Sequence, residues 1–167
     1  MSPYEIIIGL VIFFVALPVL FLGAPFLPSY RKASEINFKG LFKFLRKNGC
    51  KKFIDLGSGD GRVVIDFARA GFESYGVEIN PLLVLWSKLK INRRSLKNAK
   101  IKWGNLWKTD LSGFDVIFIF QYKTANKMLA RKFKKELKSG AIIISTGFPL
   151  EGFELIQKES PFLVYRI

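Results

Sequence analysis

The chain has 167 residues, half of them hydrophobic, which suffices for one folded domain with a single core. Lys and Arg number 27 against 13 Asp and Glu, so the formal net charge of +14 attracts nucleic acid, anionic lipid or acidic protein surfaces. The chain has no His, which excludes imidazole bases, Ser-His-Asp chemistry and His-ligated metals, and we predict no metal site. The single Cys50 cannot form an intrachain disulfide and fits a reducing compartment.

The N-terminal segment predicts one transmembrane helix. Ile6–Leu27 is an uncharged run of about 22 residues, a length that crosses a bilayer core. A signal peptide would need a basic start, which the first five residues lack, and a buried core helix would not be apolar on every face. Because Arg31 and Lys32 follow the run, the positive-inside rule predicts a single-pass protein with its C-terminal domain in the cytoplasm. We therefore expect an anchor over residues 1–32 and a folded domain over residues 33–167.

The remaining chain alternates between helix-like and strand-like stretches, which predicts an α/β fold. In chain order we expect a helix over Phe38–Lys47, a strand over Lys51–Leu56, a helix over Gly61–Ala70, a strand over Tyr75–Ile79, a helix over Pro81–Arg94, strands over Ala99–Trp103 and Phe114–Phe120, a helix over Thr124–Lys138, a strand over Ala141–Thr146, and a hairpin of Phe153–Lys158 with Phe162–Ile167. This order indicates a mostly parallel sheet with helices on both faces and a closing antiparallel hairpin.

Two helices carry more detailed predictions. Asn80 before Pro81 is a typical helix start, with Asn80 as the N-cap. In the last helix, apolar spacing predicts a core face made of Met128, Leu129, Phe133 and Leu137.

The most informative motif is Asp55-Leu-Gly-Ser-Gly-Asp-Gly-Arg62, which joins a predicted strand to a predicted helix. Gly57, Gly59 and Gly61 allow a tight turn and a close approach of the backbone to a ligand, although an ordinary glycine turn would look the same. Asp55 would repel a phosphate, which disfavours an NAD enzyme, whereas a cationic ligand such as S-adenosylmethionine suits an acidic loop. A P-loop is excluded because no Gly-Lys-Ser/Thr sequence follows.

Glu78 ends the next predicted strand about 20 residues further on, where a carboxylate can bind both ribose hydroxyls of a nucleoside. The ligand is expected at the carboxyl ends of the strands, where the strand order switches. The segments that reach this edge are Asp55–Arg62, Glu78-Ile79-Asn80, Asn105-Leu106-Trp107 and Gln121-Tyr122.

Two of these segments have predicted roles with open alternatives. Asn105 is expected to hydrogen-bond adenine, and Leu106 or Trp107 to pack against its ring, although Trp107 could instead belong to the core. Gln121 and Tyr122 are expected to face the reacting methyl group, with a plain strand-end turn as the alternative.

The glycine-rich loop resembles motif I of the class I S-adenosylmethionine-dependent methyltransferases. Together with Gly76-Val-Glu-Ile-Asn-Pro81, Asn105-Leu-Trp-Lys108 and Phe148-Pro-Leu150, it is similar to the small membrane-anchored protein-lysine methyltransferases that modify the c-ring protein of ATP synthase and the adenine nucleotide translocase. The similarity covers nearly the whole chain. It implies a Rossmann-like methyltransferase sheet, S-adenosyl-L-methionine as cofactor, and a lysine of a membrane-associated protein as acceptor.

The resemblance also implies site residues. The cofactor would be surrounded by Asp55, Gly57, Ser58, Gly59, Asp60 and Gly61, and held at its ribose by Glu78 with Ile79 and Asn80 beside it. This chain departs from the family in having Asn105 where Asp is usual, and a more polar Gln121-Tyr122. No general base is evident, and Tyr122 and Tyr30 are predicted to shape the acceptor pocket.

Two other functions stay open. A nucleic-acid methyltransferase would explain the net charge and could stack a base on aromatic residues, but the chain has no Asn-Pro-Pro-Tyr motif. A non-catalytic protein whose basic face binds anionic lipid is the second alternative.

Overall fold

The computed structural model describes residues 2–21, 38–120, 123–146, 149–159 and 161–167. The chain divides into two compact units, Met1–Glu35 and Ile36–Ile167. The first unit contains helix α1 (Pro3–Phe21). The predicted boundary between an anchor over 1–32 and a domain over 33–167 stays a prediction.

The predicted single-pass localisation, with a cytoplasmic C-terminal domain, is wrong. None of the described helices is both long enough and apolar enough to cross a membrane. The helix α1 has 19 residues and carries Glu5 in its first turn. From Ile6 to Phe21 it rises about 24 Å at 1.5 Å per residue, whereas a bilayer core is about 30 Å thick. The last part of the predicted span, residues 22–27, lies outside the described residues.

The second unit is built around one sheet. Its elements are α2 (Lys39–Lys47), β1 (Lys52–Leu56), α3 (Arg62–Arg69), β2 (Glu73–Glu78), α4 (Pro81–Arg93), β3 (Ala99–Trp103), a 3₁₀ turn (Leu106–Lys108), β4 (Val116–Ile119), α5 (Lys123–Glu136), β5 (Ile142–Thr146), β6 (Glu154–Glu159) and β7 (Phe162–Arg166). The strand order is β3-β2-β1-β4-β5-β7-β6. Strands β1 to β5 pair in parallel, and β7 pairs antiparallel with β5 and β6. The predicted mostly parallel sheet with a closing hairpin is therefore confirmed.

Alternate residues of β1 show that helices cover both faces of the sheet. The Phe53 ring stacks on the Phe67 ring of α3, with 3.6 Å between centroids. The next residue, Ile54, belongs instead to a core cluster that contains Leu129 and Phe133 of α5. Because successive side chains of a strand point to opposite faces, α3 and α5 lie on opposite sides of the sheet.

One member of the predicted core face of α5 is wrong. Leu129 and Phe133 are fully buried and Leu137 is nearly so, but Met128 is 57% exposed. The three buried residues are spaced four apart and form one ridge along the helix. Met128 lies about 100° around the helix from Leu129, which turns its side chain to solvent.

Candidate functional site

The glycine loop follows β1 at the point where the strand order reverses. Strand β1 lies between β2 and β4, so the chain runs outward on one side of it through β2 and on the other through β4. This reversal opens a crevice at the carboxyl ends of the strands, the usual ligand position in such sheets. The amides of Gly57 and Ser58 both donate to the carbonyl oxygen of Val77, at 2.9 and 3.0 Å, and fold the loop over the end of β2.

The loop packs too closely against its neighbours to admit larger residues at two glycines. A Cβ on Gly61 would lie 2.8 Å from the Cβ of Ser87 in α4, and Gly61 has a left-handed φ of 74°. A Cβ on Gly76 in β2 would lie 2.7 Å from the Cβ of Ser58 and 2.6 Å from Cδ1 of Ile101. Gly61 and Gly76 therefore let the loop lie directly against α4 and β2.

Helix α4 also holds the loop through two polar side chains for which the sequence predicted no role. The Ser87 hydroxyl donates to the Gly59 carbonyl oxygen at 3.1 Å, and the Lys90 ammonium donates to the Asp60 carboxylate at 2.9 Å. Ser87 is fully buried. The available signal was a serine three residues after buried Val84, on the inward face of an otherwise apolar helix.

The Glu78 carboxylate is buried and held in one orientation at the end of β2. Its Oε2 accepts a hydrogen bond from the Gly59 amide at 2.8 Å, and its Oε1 accepts one from the Asn80 amide at 2.9 Å. The side chain is 8% exposed. Each oxygen keeps a lone pair for another donor, so the carboxylate can also accept hydrogen bonds from a bound ligand.

Two more carboxylates lie close to Glu78. Burial raises the pKa of Asp55 well above its usual value, and the neighbouring charges of Glu78 and Asp60 raise it further. Burial would also raise the pKa of Asp60, but hydrogen bonds from Arg62 and Lys90 outweigh burial and lower it. Asp55 receives no hydrogen bond from any described residue, so its negative charge is poorly stabilised in the free protein.

This acidic cluster lies in a strongly basic chain and fits a cationic ligand. Three buried or half-buried carboxylates, Asp55, Asp60 and Glu78, surround the loop, while the whole chain has a net charge of +14. A phosphate would be repelled here, whereas a sulfonium or ammonium group would be stabilised. The buried Ser58 hydroxyl, which has no hydrogen-bond partner among the described residues, is a further unused polar group in the loop.

The turn after β3 forms the next part of the crevice. The Asn105 side-chain oxygen accepts a hydrogen bond from the Trp107 amide at 2.9 Å, which fixes the 3₁₀ turn. The Lys132 ammonium of α5 donates to the Trp107 carbonyl oxygen at 3.3 Å. Leu106 packs against the core cluster, and the Trp107 side chain is 38% exposed. Leu106 therefore supports the turn from inside, while the Trp107 ring is available to a ligand.

The other predicted site residues divide into two groups. Asn80 caps α4 as predicted, because its Oδ1 accepts a hydrogen bond from the Leu82 amide at 2.9 Å. Ile79 beside it is 51% exposed at the same edge. The predicted acceptor-side residues Gln121, Tyr122 and Tyr30 lie outside the described residues.

The sequence of this region matches one known family. A family model described as the ANTKMT methyltransferase domain matches residues 55–157, more than half of the chain. The chain belongs to the ANTKMT methyltransferase domain family. The matched region begins at Asp55 and contains the glycine loop, Glu78 and the turn at Asn105. The predicted resemblance to the small protein-lysine methyltransferases is confirmed.

Individual relatives agree with this ANTKMT domain assignment. The chain is 35% identical over 128 residues to the lysine N-methyltransferase of the ATP synthase c-ring protein from Homo sapiens, covering 75% of this chain and 52% of that protein. It is 36% identical over 129 residues to the enzyme of the same name from Caenorhabditis elegans, covering 75% of this chain and 67% of that protein. The match thus spans about half the length of the human relative.

A solved structure supports the fold. The crystal structure of an RNA methyltransferase from Salinibacter ruber, in complex with S-adenosyl-L-homocysteine, is similar with a TM-score of 0.66 and 25% sequence identity. The match covers 78% of this chain and 91% of that one. The Rossmann-like methyltransferase fold predicted from the sequence is therefore confirmed for the second unit.

Proposed function

We propose that the chain is an S-adenosyl-L-methionine-dependent methyltransferase that modifies a lysine side chain of a protein. The observation that carries the proposal is the fixed Glu78 carboxylate, which the Gly59 and Asn80 amides hold beside an acidic glycine loop. Membership of the ANTKMT methyltransferase domain family supports the reaction class, because the family match includes this loop.

The cofactor would be held by residues of three segments. Glu78 would accept hydrogen bonds from the ribose hydroxyls, and the loop Gly57–Gly61 would pack against the amino acid portion. The exposed Ile79 side chain and the Trp107 ring would cover the adenine, and Asn105 would hydrogen-bond its edge. When bound, S-adenosylmethionine supplies a methyl group on a sulfonium, which is activated for in-line displacement by a nucleophile.

The protein contributes mainly charge and position. The Asp55 carboxylate, whose pKa burial raises, would regain its charge beside a cationic ligand because opposite charges stabilise each other at short range. Asp60 is held away from this exchange by Arg62 and Lys90, so it stays ionised and keeps the loop in place. A lysine acceptor must be neutral before it reacts, and a desolvated pocket lowers the pKa of an amine. Gln121, Tyr122 and Tyr30 remain the predicted residues of that pocket.

The names of the relatives suggest the acceptor. The human and worm relatives are lysine N-methyltransferases that act on the ATP synthase c-ring protein. We infer that this chain likewise modifies a lysine of a membrane-associated protein.

The test is transfer of a labelled methyl group. The purified full chain is incubated with methyl-labelled S-adenosylmethionine and the purified ATP synthase c-ring protein, and peptide mass spectrometry then locates any methylated lysine. Glu78→Ala should abolish the transfer, whereas Glu73→Ala, at the exposed start of the same strand, should leave it unchanged. A folded protein that neither binds the cofactor nor transfers a methyl group would refute the enzyme proposal and favour a basic lipid-binding protein.

A nucleic-acid methyltransferase is the second candidate. Two observations favour it: the net charge of +14, and the similarity to an RNA methyltransferase over 91% of that chain. The same labelled assay with total RNA separates the candidates. Label in RNA that is released by ribonuclease, with none in protein, would replace lysine by a nucleotide as the acceptor.

A further inference from the structure

Helix α4 is apolar on the face that it buries and also on the face that it exposes. Its inward face carries Val84, Ser87 and Ile91, all buried against the sheet. On the opposite side four large apolar residues are exposed to solvent by between 41% and 57%: Leu82, Leu85, Trp86 and Leu89. Their spacing of three and four residues puts them on one stripe, about 180° from the buried face.

Two further residues extend this stripe at the start of the helix. Ile79 precedes α4 and is 51% exposed, and Trp103 at the end of β3 is 65% exposed. The Trp103 indole nitrogen donates to the Ile79 carbonyl oxygen at 2.9 Å, which fixes the ring beside that residue. We call this surface the α4 ridge: Ile79, Leu82, Leu85, Trp86, Leu89 and Trp103. Exposed apolar surface of this extent on a folded domain marks an interaction site.

The charge around the α4 ridge is of one sign. Residues 79–109 contain eight Lys or Arg and no Asp or Glu. Of these, Lys88 and Arg93 are exposed along α4, Arg94 and Lys97 follow it, and Lys102 is exposed on β3 beside Trp103. Protein surfaces usually carry both signs of charge, so a rim of this kind matches a uniformly anionic surface better than it matches another protein.

We propose that the α4 ridge binds the surface of an anionic lipid bilayer. Leucine and tryptophan on one side of a helix with Lys and Arg beside them are typical of helices that lie in the membrane interface. The apolar side chains would enter the boundary between headgroups and acyl chains, and the basic side chains would contact lipid phosphates. The helix has 13 residues and lies along the surface without crossing it. This contact is independent of α1 and does not rest on the proposed enzyme activity.

The first test reads the environment of Trp86 in the full chain. The chain has three tryptophans, so the double variant Trp103→Phe/Trp107→Phe leaves Trp86 as the only one. With vesicles of phosphatidylcholine and phosphatidylglycerol, the Trp86 emission should shift to shorter wavelength, and brominated acyl chains should quench it. The matched variant Trp86→Phe/Trp103→Phe, which keeps only Trp107, should be quenched much less. Absence of quenching at Trp86, whether or not the protein sediments with the vesicles, would overturn the proposal.

The second test changes the ridge and measures vesicle binding. Leu85→Glu/Leu89→Glu should lower partitioning onto phosphatidylglycerol-containing vesicles by about tenfold or more, because it removes apolar contacts and adds repulsive charge. Met128→Glu, which adds charge at an equally exposed apolar residue of α5, should have no effect. Equal partitioning of the ridge and control variants would contradict the proposal. A concentration-dependent dimer that Leu85→Glu/Leu89→Glu dissociates would also overturn it, and would assign the ridge to a second copy of the chain.

Discussion

The Glu78 carboxylate at the end of β2 accepts a hydrogen bond from the Gly59 amide at 2.8 Å, and this bond ties the second strand to the loop after the first. The other Glu78 oxygen accepts from the Asn80 amide. One side chain thus sets the positions of both the glycine loop and the start of α4. The same side chain is the predicted ribose ligand, so binding and loop geometry depend on it together.

Replacing Glu78 by Gln should weaken cofactor binding. An amide offers one acceptor oxygen, so the Gly59 or the Asn80 amide would face a nitrogen that cannot accept its hydrogen bond. We expect the dissociation constant for S-adenosylmethionine to rise about 10- to 100-fold, measured by calorimetry. Glu73→Gln on the same strand is the matched control, since Glu73 is exposed and bonds only the Tyr75 hydroxyl among the contacts described. Equal affinities for the two variants would contradict the role of Glu78.

Replacing Asp55 by Asn should stabilise the free protein while weakening cofactor binding. Burial and the charges of Glu78 and Asp60 raise the pKa of Asp55, so the folded state holds this proton more tightly than the unfolded chain. The stability contribution is therefore largest at low pH and falls as the pH rises from the ordinary value of 3.8 through the raised pKa. A neutral Asn does not have this pH-dependent penalty.

The Asp55→Asn variant is checked by thermal unfolding at about pH 5 and about pH 8. We expect its melting temperature to exceed that of the unmodified chain by more at the higher pH. Asp110→Asn is the control, because hydrogen bonds from Ser112 lower the pKa of Asp110 against a small opposing effect of burial, and that side chain is exposed. A stability gain for Asp110→Asn equal to that for Asp55→Asn would show that the effect is one of net charge.

Gly76→Ala should disturb the loop from the neighbouring strand. The added methyl group would lie 2.6 Å from Ile101 and 2.7 Å from Ser58, so one of them must move. Overpacking of this kind costs about 1–3 kcal/mol of unfolding free energy, and a displaced Ser58 should also lower cofactor affinity. Gly113→Ala is the control, because a Cβ there meets no atom within 4 Å. Denaturant unfolding that gives the same free energy for both variants would contradict this packing.

Two neighbouring residues of α5 should differ sharply in their contribution to stability. Phe133 is fully buried and Met128 is 57% exposed. Phe133→Ala should lower the free energy of unfolding by about 3–5 kcal/mol, whereas Met128→Ala should change it by less than about 0.5 kcal/mol. Denaturant titration measures both, and a comparable loss at Met128 would restore the face predicted from the sequence.

The strand order and the acidic loop were predictable because local patterns carry them. Short apolar runs ending in glycine or in a carboxylate identified β1 and β2, and the observed ends differ by one or two residues, as for Glu73–Glu78 against the predicted Tyr75–Ile79. Asp55 and Glu78 were found by their spacing from the glycines. These features depend on neighbours in sequence, which is why a single sequence reveals them.

Other features depend on contacts between distant segments. The approach of Ser58 to Gly76 is set by how the loop folds over β2, and no local pattern encodes it. The α4 ridge was hidden because Leu82–Trp86 is apolar without interruption, so periodicity could not separate an inward face from an exposed one. The span at the N-terminus was overestimated because hydropathy counts residues, whereas the described helix α1 ends at Phe21.

The most direct test of the proposed site is amide chemical-shift mapping of the isotope-labelled chain titrated with S-adenosylmethionine. We predict large shifts at the amides of Gly57–Gly61, Glu78–Asn80 and Asn105–Trp107, and small ones at the far end of the sheet around Cys50. Glu78→Ala should remove these shifts while the remaining spectrum stays folded. Shifts confined to another surface, such as the cleft between Tyr75 and Lys102, or none in a folded protein, would contradict the proposed site.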